Sequence, residues 1–94
     1  MHAYVVCFDI SDNAIRRAVG RRLEHFGRRV QRSVFEISLE NSAELDSLRQ
    51  ELLTQIEEEE EDDIRFYPLC RQCRMKAVNA QGMRVATFPA AVIV

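Results

Sequence analysis

The stretch AYVVCFDISDN, residues 3 to 13, decides the fold of this chain. It begins with six apolar or aromatic residues that carry no charge, and it reaches a carboxylate, Asp9, just before the turn formers Ser11, Asp12 and Asn13. A short run that is rich in valine and aromatic residues and stops at turn formers is typical of a buried central strand. We therefore predict a central strand that ends at Asp9.

The position of Asp9 predicts a specific partner for its carboxylate. Desolvating a carboxylate beside an apolar strand costs several kcal/mol unless another group compensates for the lost hydration. From the spacing alone, Asp9 has three possible roles. It caps the first helix, pairs with a nearby arginine, or binds a metal ion.

An amphipathic helix is predicted directly after this strand. Ile15, Val19, Leu23 and Phe26 recur at helical spacing and form one apolar stripe. Gly27 stands where a left-handed C-terminal cap is expected, so we predict that it ends the helix. The arginines between the apolar positions then lie off the buried stripe and begin a basic helix face.

A second helix is predicted after Asn41, which with Glu44 three residues later resembles a capping box. Its apolar stripe consists of Leu45, Leu48, Leu52 and Ile56. Seven consecutive acids then occupy residues 57 to 63. Because these like charges repel one another and oppose the helix dipole, we expect the helix to fray into a solvated loop. An electrostatic gate or a cation-binding loop is the alternative.

A β-hairpin is predicted between the two helices. Apolar and polar residues alternate over residues 34–39, which indicates a half-buried antiparallel strand. Residues 28–31 form a shorter partner strand, with a tight turn near Arg32 and Ser33. The first helix is therefore followed by two strands that pair with each other.

Strand character resumes after the acidic run. Residues 64–69 form a strand in which Pro68 indicates an edge position or a strand end. One or two helical turns are expected within residues 70–81. The apolar terminus at residues 90–94 is predicted to form a strand, which we expect to join the sheet of a second copy and so cover an exposed edge.

The order strand, helix, strand, strand, helix, strand predicts an α+β fold of the ferredoxin-like type. In this βαββαβ arrangement two helices pack on one face of an antiparallel sheet. A length of 94 residues fits a single domain, with its core at about residues 3–70 and a C-terminal extension over residues 71–94. The fold hosts many functions and selects none by itself.

The composition limits the class of protein. Hydrophobic residues at 47% and charged residues at 30% are globular values. No window approaches the ~20 apolar residues that a membrane span needs, so no membrane partner is expected. The N-terminus lacks the basic and apolar regions of a signal peptide, and we therefore expect a cytoplasmic protein.

The net charge of -2 conceals a strong segregation of charge along the chain. Seven arginines oppose one glutamate over residues 16–32, whereas twelve acids oppose one arginine over residues 36–63. Arginine outnumbers lysine twelve to one, which suits recognition of phosphate or carboxylate groups. The arginines therefore either bind nucleic acid through a local basic patch or pair with the acidic block, within one chain or across a dimer.

Three cysteines, an odd number, do not indicate a disulfide framework. Cys70 and Cys73 have C-x-x-C spacing. Two such cysteines could provide two of the four ligands of a tetrahedral zinc site, or they could form a redox pair. A full zinc site would need a second chain or histidine ligands, and a thioredoxin-like context is missing. We interpret the two as reduced thiols in a short helical turn, and His2 and His25 as surface or packing residues.

Four segments together resemble the CRISPR-associated protein 2 family. They are FDISD at residues 8–12, the arginine pair at 16–17, VQRSVFE at 30–36 and RFYPL at 65–69. The resemblance implies a ferredoxin-like homodimer, reported in various members as a metal-dependent nuclease on single-stranded RNA or duplex DNA. It also implies a non-catalytic role, in which the protein bridges two dimers of the CRISPR integrase, protein 1 of the same system, during spacer acquisition.

The resemblance also assigns site residues. The family's acidic position falls on Asp9, which is then both the catalytic residue and the ligand of Mg²⁺ or Mn²⁺. Because one carboxylate provides few of the oxygen ligands that magnesium needs, a two-fold dimer that shares one ion between two Asp9 side chains is expected. Many members carry tyrosine where this chain has Phe8, which removes a hydroxyl beside that site. The family's basic positions fall on Arg16 and Arg29, and its aromatic position falls on Phe35. Together with Arg17 and Arg32 of the same basic segment, these are the predicted nucleic-acid contacts.

Three functions stay open at this point. The first is a CRISPR adaptation protein that binds nucleic acid and hydrolyses phosphodiesters at Asp9. The second is a purely structural bridge between integrase dimers with a vestigial carboxylate, and the third is a nucleic-acid-binding or toxin-like module outside CRISPR. The sequence does not separate RNA from DNA as the substrate, although the lack of an aromatic cluster favours backbone contacts to a duplex.

Overall fold

The structure is a computed structural model that describes residues 1–56 and 61–87. Its elements are β1 (His2–Asp9), α1 (Asn13–Glu24), β2 (Gly27–Gln31), β3 (Val34–Leu39), α2 (Ser42–Leu53), β4 (Asp63–Leu69) and α3 (Arg71–Lys76). The strands form one antiparallel sheet in the order β2-β3-β1-β4. This is the ferredoxin-like arrangement, so the predicted fold class is confirmed.

Two segments for which the sequence makes a prediction lie outside the described residues. They are the C-terminal strand at residues 90–94 and most of the acidic run, residues 57–60. In the described part of the chain, no helix combines the length and the apolar character that crossing a bilayer requires.

The core lies between one face of the sheet and the two long helices. Alternation along β1 turns Tyr4, Val6 and Phe8 toward this core, where they meet the fully buried Phe35 and Ile37 of β3. The predicted helix stripes supply the other layer through Val19 and Leu23 of α1 and Leu48 and Leu52 of α2. On the opposite face of the sheet, Val5 and Cys7 of β1 are half-buried and Asp9 is exposed, and the candidate site is built there.

Both long helices start at side-chain caps. Asp12 accepts a hydrogen bond from the backbone N–H of Ile15 at 2.9 Å, and Asn41 accepts one from Glu44 at 2.9 Å. The Glu44 carboxylate in turn accepts from the backbone N–H of Glu40 at 3.3 Å. The predicted capping box is therefore present, with its return bond one residue before the cap.

The predicted role of Gly27 as a left-handed helix cap is wrong. Helix α1 ends at Glu24 with His25 as a right-handed cap, and among the described residues Gly82 is the only glycine with positive φ. Gly27 instead opens β2, where a Cβ atom would lie 1.9 Å from the backbone oxygen of Glu36. Glycine is required here because β2 and β3 approach each other too closely for any side chain.

The hairpin turn at Arg32 and Ser33 forms where it is predicted, with a bulge in β2 between Arg29 and Gln31. The carbonyl of Ser33 accepts a hydrogen bond from the backbone N–H of Phe8 at 3.1 Å, which ties the turn to the end of β1. Strand β4 pairs only with β1 in the described sheet, and this edge position is compatible with Pro68. The end of β1 is thus held between the hairpin turn and β4.

Candidate active site and nucleic-acid interface

Strand β1 carries Asp9 to the end of the sheet, on the face opposite the helices. Its side chain is exposed, whereas the preceding residue, Phe8, is buried in the core. The antiparallel register of β1 and β4 places Asp9 directly opposite Asp63. Because Cβ atoms of directly opposite residues lie about 4.5–5.5 Å apart, two carboxylates meet at this corner of the sheet.

The described structure does not support two of the three roles that the sequence leaves open for Asp9. The N-cap of α1 is Asp12. The ion pairs formed within residues 1–56 and 61–87 do not include Asp9. An exposed carboxylate with neither a cap nor an ion-pair partner is available to a ligand from outside the chain.

Asp63 differs from Asp9 because it already has a cationic partner. Arg65 donates a hydrogen bond from Nε to Oδ2 of Asp63 at 2.6 Å. A hydrogen bond to Tyr67, followed by the bond and the charge of Asp63, raises the pKa of Arg65, so this guanidinium keeps its charge. It offsets part of the repulsion that two opposed carboxylates would otherwise produce.

A cavity of about 390 Å³ lies over this corner of the sheet. Among the described residues that line it, the carboxylates are Asp9, Asp63 and Glu61, and the one cationic side chain is Arg65. Cys7 also lines it and is half-buried, so this residue belongs to the open face of the sheet rather than to the core. The cavity is therefore acidic and suits a cation better than an anion.

The donor set fits a hard divalent cation in part. Magnesium is held by oxygen ligands, commonly one or two carboxylates together with waters and substrate phosphates. Asp9 and Asp63 supply such oxygens, but no group of three or more histidine, cysteine or acidic side chains in the described residues is placed to hold an ion. The remaining ligands would come from water, the substrate or a second copy of the chain.

Arg16 braces the loop that follows Asp9. Its guanidinium donates to the carbonyls of Ile10 and Ser11 at 3.1 and 3.2 Å and to the side chain of Asn13 at 2.7 Å. The turn is also tied to β4, because the backbone N–H of Ser11 donates to Asp62 at 3.2 Å. The structure thus brings Arg16 beside the end of β1, with three of its donors already engaged.

Arg17 and Arg32 differ from Arg16, whose guanidinium is already engaged. Both side chains are exposed, and neither forms an ion pair within residues 1–56 and 61–87. Arg22 and Arg28, by contrast, pair with Glu51 and Glu36. The alternative that the arginines pair with acids of the same chain therefore holds for some of them and leaves Arg17 and Arg32 available for phosphate contacts.

Arg29 and Phe35 form a cation–π pair. The guanidinium of Arg29 lies 5.2 Å from the centroid of the Phe35 ring and 3.7 Å from a carboxylate oxygen of Glu24. Phe35 itself is fully buried and stacks on Phe8 with the ring centroids 5.9 Å apart. In this arrangement the Phe35 ring does not reach a bound nucleic acid directly, and its contribution is to position Arg29.

Comparison with known proteins places the chain among CRISPR proteins. The family described as CRISPR associated protein Cas2 matches residues 1–77. The CRISPR-associated endoribonuclease Cas2 1 of Chloroflexus aurantiacus is 44% identical over 71 residues, which are 76% of this chain and 75% of that protein.

Two solved structures share the fold. A chain of a partial Cas6-RT-Cas1–Cas2 complex superposes with a TM-score of 0.84 at 33% identity, and the match covers 100% of both chains. Cas2 of Streptococcus pyogenes superposes with a TM-score of 0.72 at 29% identity, over 82% of this chain and 96% of that one. Sequence and fold therefore point to the same family.

Proposed function

We propose, because the chain belongs to the CRISPR-associated protein Cas2 family, that it binds nucleic acid as a homodimer and hydrolyses phosphodiester bonds with a divalent metal ion held at Asp9. The observation that carries the proposal is the exposed Asp9 carboxylate, which faces Asp63 across an acidic cavity. The Chloroflexus relative is named an endoribonuclease, which supports RNA as one substrate. Duplex DNA is the second substrate class.

Asp9, Asp63 and Arg65 have different roles at this site. A bound Mg²⁺ or Mn²⁺ supplies Lewis-acid activation of water and neutralises charge on the phosphate. Asp9 holds the ion, and Asp63 adds negative charge on the same side of the cavity. Arg65 stays protonated and lies at the rim, where it can contact a phosphate oxygen of the substrate.

A homodimer would complete this site. Asp9 lies on the face of the sheet where the register partners Val5 and Tyr67 are half-buried and 48% exposed, respectively. A two-fold axis near this face would bring two copies of Asp9 to one ion, as an isologous interface pairs each residue with its own copy.

The second candidate function is a non-catalytic bridge. The structural relative at 33% identity belongs to a complex that also contains Cas1, which supports the integrase as a partner of this chain in spacer acquisition. In such a bridge the arginines would still hold DNA, but neither Asp9 nor a metal ion would be needed. A requirement for both therefore separates the nuclease from the scaffold.

The basic side chains serve both functions through contacts to phosphate. Each phosphate that a side chain neutralises contributes about 0.9 to the slope of log affinity against log salt for duplex DNA, and about 0.7 for a single strand. Arg17 and Arg32 are exposed without an ion pair in the described residues, and Arg29 extends from the first strand of the hairpin. We expect these three to form the main phosphate contacts, with Arg16 shaping the loop beside the metal site.

Two neighbouring arginines are expected to give opposite results when replaced by alanine. Arg16→Ala removes three hydrogen bonds within the β1–α1 loop, so we expect the free energy of unfolding to fall by about 1–2 kcal/mol. Arg17→Ala removes an exposed side chain, so stability should change by less than about 0.5 kcal/mol. Its nucleic-acid binding should weaken, with the salt slope lower by about one phosphate contact.

Urea denaturation and fluorescence anisotropy at several salt concentrations measure these two quantities. Equal losses of stability in the two variants would contradict the bracing role of Arg16. An unchanged salt slope in Arg17→Ala would remove this side chain from the nucleic-acid interface.

The test of the proposed function uses the wild-type protein with end-labelled single-stranded RNA and duplex DNA. Cleavage is measured with Mg²⁺, with Mn²⁺ and with a chelator in place of the metal. Cleavage that needs the metal supports the nuclease and identifies its substrate. If no substrate is cut while the protein still binds duplex DNA and Cas1, the bridge is the correct function.

A further inference from the structure

Cys70 and Cys73 lie together at the junction of β4 and α3, at the far end of β4 from Asp63. Cys70 ends the loop as the N-cap of α3, and its sulfur accepts a hydrogen bond from the backbone N–H of Cys73 at 3.4 Å. Both side chains are exposed and neither forms a disulfide.

The surroundings make the two thiols chemically unequal. The backbone N–H of Cys73, then the Cys73 thiol, and to a lesser extent the charge of Arg74 lower the pKa of Cys70. The same thiol–thiol hydrogen bond raises the pKa of Cys73. Cys70 is therefore the better nucleophile at neutral pH, because the thiolate is the reactive form.

A basic cavity lies beside α3. It has a volume of about 780 Å³ and is lined by Arg71 and Arg74, which each follow a cysteine in the sequence, and by Arg84 from the following segment. No acidic side chain of residues 1–56 and 61–87 lines it, and the sequence contains no aspartate or glutamate after Asp63. Such a cavity suits a small ligand that carries carboxylates.

We propose that Cys70 and Cys73 form a dithiol site that exchanges with anionic small-molecule disulfides such as oxidised glutathione, with Cys70 as the attacking thiol and Cys73 as the resolving thiol. The site is separate from Asp9, and it does not depend on nuclease activity. The bond from the Cys73 backbone N–H to the Cys70 sulfur holds the two residues side by side in one helical turn.

The exchange proceeds in two balanced steps. The Cys70 thiolate attacks one sulfur of the bound disulfide, so that a mixed disulfide on Cys70 forms and one glutathione thiolate leaves. The leaving thiolate takes up the proton that Cys73 loses, and Cys73 then attacks the Cys70 sulfur and displaces the second glutathione. Cys70 and Cys73 are oxidised together by two electrons, and one glutathione disulfide is reduced to two thiols.

The experiment treats the full chain with oxidised glutathione and follows intact mass and peptide maps. Wild type and the control Cys7→Ser should lose two hydrogen atoms and retain no glutathione. Cys73→Ser should accumulate one glutathione on Cys70, because the resolving thiol is absent. Cys70→Ser should react at Cys73 about tenfold more slowly than Cys73→Ser reacts at Cys70, because the Cys70 sulfur accepts a backbone N–H bond that stabilises its thiolate.

Arg84→Ala tests the ligand class without changing either thiol. We expect its reaction with oxidised glutathione to slow by about tenfold, whereas its reaction with the neutral hydroxyethyl disulfide should match wild type. Equal rates for wild type and Arg84→Ala with both reagents would overturn the assignment of an anionic ligand.

Three results would overturn the dithiol site itself. The first is a lasting glutathione adduct on wild type, which would show that Cys73 does not resolve the mixed disulfide. The second is equal reactivity of Cys70 and Cys73 in the two single variants. The third is a stoichiometric zinc ion in the purified protein that blocks both thiols until it is chelated, because the pair would then be part of a metal site shared between copies.

Discussion

Gly27→Ala is expected to lower the free energy of unfolding by about 3 kcal/mol, a large fraction of the stability of a small domain. A Cβ atom at this position would lie 1.9 Å from the backbone oxygen of Glu36 and 2.6 Å from Cα of Ile37. These are backbone atoms of β3, the neighbouring strand, so no side-chain rotation relieves the contact. The hairpin would have to open at the end that packs against helix α1.

Gly20→Ala is the matched control for this prediction. Its Cβ would meet the terminal nitrogen of the flexible Arg29 side chain at 2.9 Å, which can move away. Alanine in a helix interior is favoured over glycine by about 0.5–1 kcal/mol, so we expect Gly20→Ala to be neutral or slightly stabilising. Urea denaturation of both variants measures the difference, and equal stability of the two would contradict the close approach of β2 and β3.

Asp9→Asn is expected to reduce metal-dependent cleavage by about 100-fold or more. Removing a residue that only hydrogen-bonds to a metal ligand already lowers metal affinity or activity by about 10–100-fold. The amide keeps the size of the side chain but carries no charge with which to hold a cation. The fold should be unaffected, since Asp9 is exposed and forms no ion pair within residues 1–56 and 61–87. A loss of cleavage with unchanged stability therefore assigns Asp9 to the reaction.

Asp12→Asn provides the control for charge. It removes the same charge three residues away, and asparagine caps a helix about as well as aspartate does. We expect this variant to keep both wild-type stability and wild-type cleavage. Equal loss of cleavage in Asp9→Asn and Asp12→Asn would indicate a general effect of acidic charge rather than a metal ligand.

Periodicity in the sequence predicts most of the fold because it reports burial directly. The apolar run before Asp9, the helix stripes and the alternation in β3 each match the observed elements. The turn at residues 32–33 is also predicted, since the strands on either side leave room for only two residues. What periodicity does not report is the distance between backbones, and this is why Gly27 is read as a cap when close packing against β3 requires it.

The candidate site is predicted less completely, because it depends on the pairing of distant strands. Asp9 is identified from its place at the end of β1, but Asp63 becomes its neighbour only through the register of β1 with β4. Before the fold is known, Asp63 is the last of seven consecutive acids, with nothing to distinguish it from the others. The same limit applies to Phe35, whose alternation predicts burial but not the stacking of Arg29 on its ring.

The measurement that tests the central claim most directly compares cleavage by wild type, Asp9→Asn and Asp12→Asn on one end-labelled RNA and one duplex DNA. Each protein is assayed with Mg²⁺, with Mn²⁺ and with chelator, after equal stability has been confirmed by urea denaturation. We predict that wild type and Asp12→Asn cut the same substrate only when metal is present and that Asp9→Asn does not cut it. Cleavage by Asp9→Asn at the wild-type rate, or cleavage that persists in chelator, would contradict a metal-dependent nuclease centred on Asp9.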